Sequence, residues 1–344
     1  MAFNSGHHQA SKQLFAPALA QVPPQAVGPA PSYAPQAPPS RIAPLPPQRQ
    51  LEDTPSIADY RASALQSDRN GALWVGSWQG LARIDPSSGE IQNRISLPNA
   101  VVEAIVEDRV GRLWAGTYDG LIRVNPQNNE ITAQNFSLPS NRVSSLLIDN
   151  RGFLWVGTDR GLAMISPDQG LLMTTLQNLP GVSAEALSLD AAGQLWVGTL
   201  DGLVQVNTAS AKILKRVANL PGRTAQTLAL DRHGQLWAGT PNSLLVIDTA
   251  TGKILRSVTE LRGRNVTALS FDQTGSLWVG TNNGLLRINP YSGAVLGQVP
   301  DLPSSRIQAL SADVSHKLWV ATSEGLAWVS MTTGKAGAHA TFRR

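Results

Sequence analysis

Cysteine is absent from the 344 residues, which excludes disulfides and thiolate metal sites and leaves the redox compartment open. Nothing comes near the ~18 uninterrupted apolar residues that a membrane-spanning helix requires. Histidine occurs only at 7, 8, 233, 316 and 339, never in pairs at ligand spacing, so no zinc site is expected. A serine nucleophile elbow, a phosphate loop and a dinucleotide fingerprint are all missing, so no catalytic residue and no cofactor is assigned. Charge is sparse as well, at 15% of residues. Residues 1–50 hold Lys12, Arg41 and Arg49 and no acid, so +3 of the net +4 lies there. The remainder is nearly neutral, which argues against a surface that tracks nucleic-acid phosphates.

What is present divides at about residue 50. Eleven of the first fifty residues are proline and seven are glutamine. Such a stretch has too few large apolar groups to offset its chain entropy, and residues 1–50 are expected to form a disordered, extended arm. Arg41, Pro44, Pro47 and Arg49 fit the basic-plus-PxxP pattern of docking ligands, although Pro-rich linkers also produce that pattern by chance. The segment Leu14–Ala20 ends like a signal-cleavage site, but its apolar part is seven residues long and contains Pro17.

Residues 51–342 repeat. Tryptophans at 74, 114, 155, 196, 237, 278 and 319 are spaced by 40 and then 41 residues. Each lies in a sentence such as GALWVGSWQGLARID, GQLWVGTLDGLVQVN or GSLWVGTNNGLLRIN. Seven copies at constant spacing indicate a radial or solenoid array. In the third copy, four apolar runs (143–148, 153–156, 162–165 and 171–176) are separated by Gly-, Asp-, Asn- and Pro-containing turns. Each period therefore reads as a four-stranded antiparallel meander. The expected fold is all-β: a seven-bladed β-propeller of about 41 residues per blade behind a Pro-rich disordered N-terminal arm. The last copy's outer run, Lys335–Phe342, is weak in β-formers. The segment 51–56 is accordingly expected to complete blade seven or cover its edge.

The pattern Asp-x-x-Gly-x-Leu-Trp-Val-Gly-Thr-x-x-Gly-Leu resembles the two-component-regulator propeller repeat, found in periplasmic sensor parts of hybrid histidine kinases. No WD dipeptide or Gly-Gly pair occurs, so WD40 and kelch repeats fit less well. Sensors of that family usually carry more blades, a further β-domain, a membrane span and a kinase, which this chain lacks. The resemblance implies fold and a binding role rather than signalling by this chain alone. It favours a periplasmic or secreted location and leaves a cytoplasmic one open. Streptogramin-lyase-like propellers resemble it more loosely and keep an enzymatic alternative in view.

Residues common to all copies read as architecture. Asp68 and its six equivalents can bond the N–H groups of their own turns, and the tryptophans are wedges whose indole N–H needs a partner. Gly76 and its equivalents allow close approach of strands, with Ala321 breaking the pattern. Function is expected where copies differ, on the face that carries the strand-two-to-three turns and the interblade connections. The turns supply Trp78, Tyr118, Asp119, Asp159, Arg160, Asp201 and Glu324; the connections supply Arg142, Arg223, Arg264 and Arg306. Aromatic and arginine enrichment is the composition of binding hot spots. Trp78 and Tyr118 should form one apolar patch, and Arg142 and Arg306 should face the channel mouth and suit a carboxylate. The acids could instead converge as acid/base groups or a cation site, although Asp before Gly is also ordinary hairpin chemistry. A protein partner, or a small anionic ligand, is the expected binding target; no metal is expected.

Overall fold

The computed structural model describes residues 61–343 apart from Pro98, Asn99 and Asn135. The arm, with Arg41, Pro44, Pro47 and Arg49, lies outside the described residues, as does the segment 51–56. The described residues form seven four-stranded sheets, each an up-and-down antiparallel meander in chain order. The one helical element among them is a single 3-10 turn, Thr259–Leu261. In blade three the strands are Val143–Ile148, Leu154–Thr158, Gly161–Ser166 and Leu171–Leu176. The two central strands run on into a two-residue turn, so they are longer than their apolar runs.

Period-two alternation explains how the blades stack. In blade one, Trp74 faces forward into a cluster with Leu113, Ala115 and Val124 of blade two. Its strand neighbours Leu73 and Val75 face backward, onto Trp319 of blade seven. Every repeated tryptophan is at most 5% exposed and wedges against the next blade. The glycine two residues on is small for a related reason. A Cβ at Gly76 would stand 2.7 Å from Val102 Cγ1 of the neighbouring blade. At the equivalent place in blade seven the facing residue is Ala62, which lets Ala321 fit.

The repeated aspartates complete this unit. Asp190 Oδ1 accepts the N–H groups of Ala192 (3.0 Å) and Gln194 (2.9 Å), and Oδ2 accepts the indole Nε1–H of Trp196 (3.0 Å). The same indole bond recurs in blades one to six at 2.9–3.2 Å. Burial pushes the Asp108 carboxyl up, but bonds from Trp114 and Arg112 outweigh it and hold the group below the usual range. Blade seven departs from the pattern. Its first strand runs on to Val314, and Ser315 and His316 turn at φ 54° and 59°. Trp319 Nε1 is buried there without an acceptor among the described residues.

Blade seven reaches four strands without the segment 51–56, whose other expected place, over the blade's edge, lies outside the described residues. Blade seven's outer strand is its own C-terminal segment, Ala336–Arg343, paired with Gly325–Ser330. Weak β-propensity was outweighed by burial: Phe342 is 2% exposed and His339 5%. Among the described residues no strand is exchanged between blades, and blade seven packs on blade one. Lys317 Nζ donates to the carbonyls of Pro86 (2.9 Å) and Ser87 (2.8 Å), and His339 Nε2 bonds Gly89 O at 2.6 Å. Burial first, with the nearby Arg94 charge, holds the His339 imidazole below its ordinary value despite that bond.

Candidate functional site

Each blade's first strand is innermost, and the residue five before the repeated Asp, in that strand or just ahead of it, faces the central channel. These seven residues are Ser63, Glu103, Ser144, Glu185, Gln226, Thr267 and Gln308, and they line a cavity of about 490 Å³. Several of them fasten one blade to the next. Ser63 Oγ donates to Val102 O (2.5 Å), Ser144 Oγ to Ala184 O (2.8 Å), Gln226 Nε2 to Val266 O (2.7 Å) and Thr267 Oγ1 to Ile307 O (2.7 Å). Ionised Glu103 and Glu185 cannot donate in this way. They are the two charges in an otherwise neutral polar ring.

Two residues earlier in each copy lies a second tier at the mouth: Arg61, Val101, Arg142, Ser183, Thr224, Asn265 and Arg306. Three arginines thus occupy one repeat position, on blades one, three and seven. The guanidinium of Arg61 stands 3.9 Å from the ring centroid of Trp78, and that of Arg142 stands 4.9 Å from that of Tyr118. Both rings remain accessible, at 48% and 43% exposure. Each aromatic is therefore covered by a cation, a contact worth about 0.5–1 kcal/mol at exposed sites. Arg306 lines the channel cavity together with Asn282.

Glu103 sits beneath this mouth. Burial pushes its carboxyl above the ordinary 4.5, while the Tyr118 hydroxyl and the Arg142 charge draw it partly back. Burial and the Glu103 carboxylate together raise the Tyr118 phenol, which stays protonated. A carboxyl raised on folding favours the folded state below its unfolded value, and that contribution is lost as pH rises through the folded value. Glu103→Gln, which still accepts from Tyr118, is expected to raise the melting temperature near neutral pH. The gain should vanish as pH falls below about 4.5, and thermal melts across that range check it.

The remaining sequence-selected residues are spread around the rim. Asp119, Asp159, Arg160 and Glu324 occupy exposed hairpin tips on blades two, three and seven. Those hairpins are held by threonine and backbone: Thr117, Thr158 and Thr322 each donate to the carbonyl of the glycine three residues on. Asp201 pairs with Arg223 at 3.2 Å, both of them exposed. Arg264 is half-buried in the connection that carries the 3-10 turn. Among the described residues no three His, Asp or Glu side chains are grouped to hold a metal ion. Sequence reasoning missed Arg61, Glu103 and Glu185. Their signal was available, because the position five before each repeated Asp is polar in all seven copies of an otherwise apolar strand.

The family model described as two component regulator propeller matches residues 96–119, 137–160 and 260–283. Each match runs from an interblade connection through the Asp turn and the Trp strand to a hairpin tip. Three stretches of the repeat thus match the two component regulator propeller model. Among solved structures it is similar to the extracellular domain of a one component system from B. thetaiotaomicron, at 21% identity and TM-score 0.69. That match covers 79% of this chain and 38% of the other. The extracellular domain of a hybrid two component system from B. thetaiotaomicron gives 19% identity, TM-score 0.68, and coverage of 79% and 40%. The chain thus spans about two-fifths of the length of those domains. Virginiamycin B lyase from Staphylococcus aureus gives 16% identity, TM-score 0.63, and coverage of 77% and 92%. At such identities the likeness is one of fold. No curated protein matches the sequence. Among the described residues no helix is long and apolar enough to cross a membrane.

Proposed function

We propose that this propeller is a non-catalytic binding module whose hairpin face receives a protein partner or an anionic ligand, with residues 1–50 as tether or docking segment. The observation that carries this reading is the mouth itself. Arg61, Arg142 and Arg306 share one repeat position there, and two of them lie over accessible aromatic rings. Aromatic and arginine side chains concentrate binding energy, and guanidinium groups clasp carboxylates through paired hydrogen bonds. A lyase-like enzyme would need histidine and carboxylates together on one face. The carboxylates of Glu103 and Glu185 line the channel, whereas His233 and His316 stand on turns of the opposite face, where Asp231 beside His233 is taken up by its own turn and by Trp237.

Trp78→Ala and Arg306→Ala are each expected to weaken binding by about 1 kcal/mol or more, with little change in melting temperature. Capture of the partner from extract by the full chain, by a form lacking residues 1–50 and by these variants measures the effect. Normal capture by both variants, with loss on His233→Ala, would move the binding surface to the other face.

A further inference from the structure

The geometry points to a second ligand site, on the face opposite the channel mouth, in the groove between blades five and six: it takes a small anion with a flat apolar body, an aromatic carboxylate. The propeller contains its own control for this claim. A groove of the same construction lies between blades one and two, with a volume of about 610 Å³ against about 500 Å³. Both are built from the same repeat positions. At the first seam those positions carry Asn70, Gln92, Asn93, Glu107 and Gln127. At the later seam they carry His233, Leu255, Arg256, Phe271 and Tyr291. The groove is architecture, but its lining at blades five and six is not.

Three features of that lining select the ligand. The walls are apolar and open, with Leu255 49% and Tyr291 68% exposed. Such exposure of two large apolar side chains beside one groove is unneeded for packing, since Gln92 and Gln127 serve at the first seam. Next, the charges are placed differently, although each lining holds one more basic than acidic side chain. Between blades one and two, Arg83 is neutralised by Asp68 at 3.1 Å, and Glu107 accepts the backbone N–H of Arg69 at 2.8 Å. Between blades five and six, Val246 stands where Arg83 stands and Phe271 where Glu107 stands.

Here Arg232 and Arg256 make no salt bridge among the described residues. Arg256 donates to the backbone carbonyls of Pro290 and of Tyr291 (2.8 Å), which leaves its charge uncompensated. Arg232 lies across Gly275, where any Cβ would collide with its guanidinium. The nearby acid, Asp231, is buried and already occupied by Trp237 Nε1 and the N–H groups of His233 and Gln235. Finally, His233 Nε2 and Tyr291 OH meet across the seam at 3.0 Å, with their rings edge to face. No other blade has histidine or tyrosine at those positions. They line the same groove as Arg232 and add two hydrogen-bonding groups to it.

The probe is 2-naphthoate, titrated calorimetrically into the full chain, with 2-naphthol and acetate as the uncharged and the body-less controls. Naphthoate is expected to bind saturably with one site and at least tenfold more tightly than either control. Arg232→Ala, and separately the double change Leu255→Gln with Tyr291→Gln, which restores the lining of the first seam, should each weaken it tenfold or more. These positions are exposed, so melting temperatures should hold, and circular dichroism of each variant confirms the fold. Arg69→Ala, the same repeat position at the first seam, should leave naphthoate affinity unchanged. The inference is overturned if naphthoate does not bind, if naphthol or acetate binds equally well, or if affinity falls with Arg69→Ala rather than with Arg232→Ala.

Discussion

Asp190→Ala is expected to lower the free energy of unfolding by about 3–5 kcal/mol, since each stranded buried donor costs about 1–3 kcal/mol. The carboxylate is 6% exposed and serves four donors at once. Besides the N–H groups of Ala192 and Gln194 and the indole of Trp196, Oδ2 accepts from Gln205 Nε2 at 2.6 Å. Removing it strands buried donors in a turn and at a blade seam simultaneously, and water cannot reach the indole. Urea denaturation of the variant measures the loss; a change below about 1 kcal/mol would show that the turn can re-satisfy its donors. Blade seven supplies the contrast. Trp319 Nε1 has no acceptor among the described residues, so Trp319→Phe should cost less than Trp196→Phe, which also forfeits a bond to Asp190.

Phe342→Ala is expected to cost about 3–5 kcal/mol, as a buried aromatic truncated inside a packed cluster. Phe342 is two residues from the end of the sequence, where truncation is usually tolerated. Here it joins Ala62, Leu73, Val75 and Ile84 of blade one to Trp319 and Leu326 of blade seven. His339 packs edge to face on it at 5.4 Å. The seam between the last and first blades draws on that strand, because Phe342 lies in the cluster that joins them. Thermal unfolding should show a lowered midpoint for Phe342→Ala and little change for Leu296→Ala, whose side chain is 56% exposed. Equal midpoints for Phe342→Ala and the parent would mean that closure rests elsewhere.

The blades were legible in the sequence because each is made locally. A hairpin turn, an Asp turn and a tryptophan every 41 residues are instructions that a chain can carry out with its near neighbours. The hairpin face was legible for the same reason, since alternation and turn position assign it without knowing any distant contact. The fourth strand of blade seven was misread because the outer run Lys335–Phe342 was judged by β-propensity alone. Propensity is a weak guide where burial decides, and the bulk of Phe342 mattered more than the small residues before it.

Seven blades, their four-strand meanders and the turn roles of Asp and Thr are properties that the sequence by itself determined. Which polar groups meet across seams was decided only by tertiary structure. Arg142 reaches Tyr118 of the preceding blade, Lys317 reaches Pro86 from 231 positions away, and His233 meets Tyr291 58 positions on. Periodicity specifies where each residue stands within its own blade, but side-chain reach and rotamer settle which neighbour it touches. The same holds for charge: Arg83 and Arg123 occupy one repeat position, yet the first is neutralised by a buried aspartate and the second rests on Thr132 Oγ1 and the carbonyl of Pro167. Only packing distinguishes them, because desolvation and pairing are properties of the surroundings rather than of the residue.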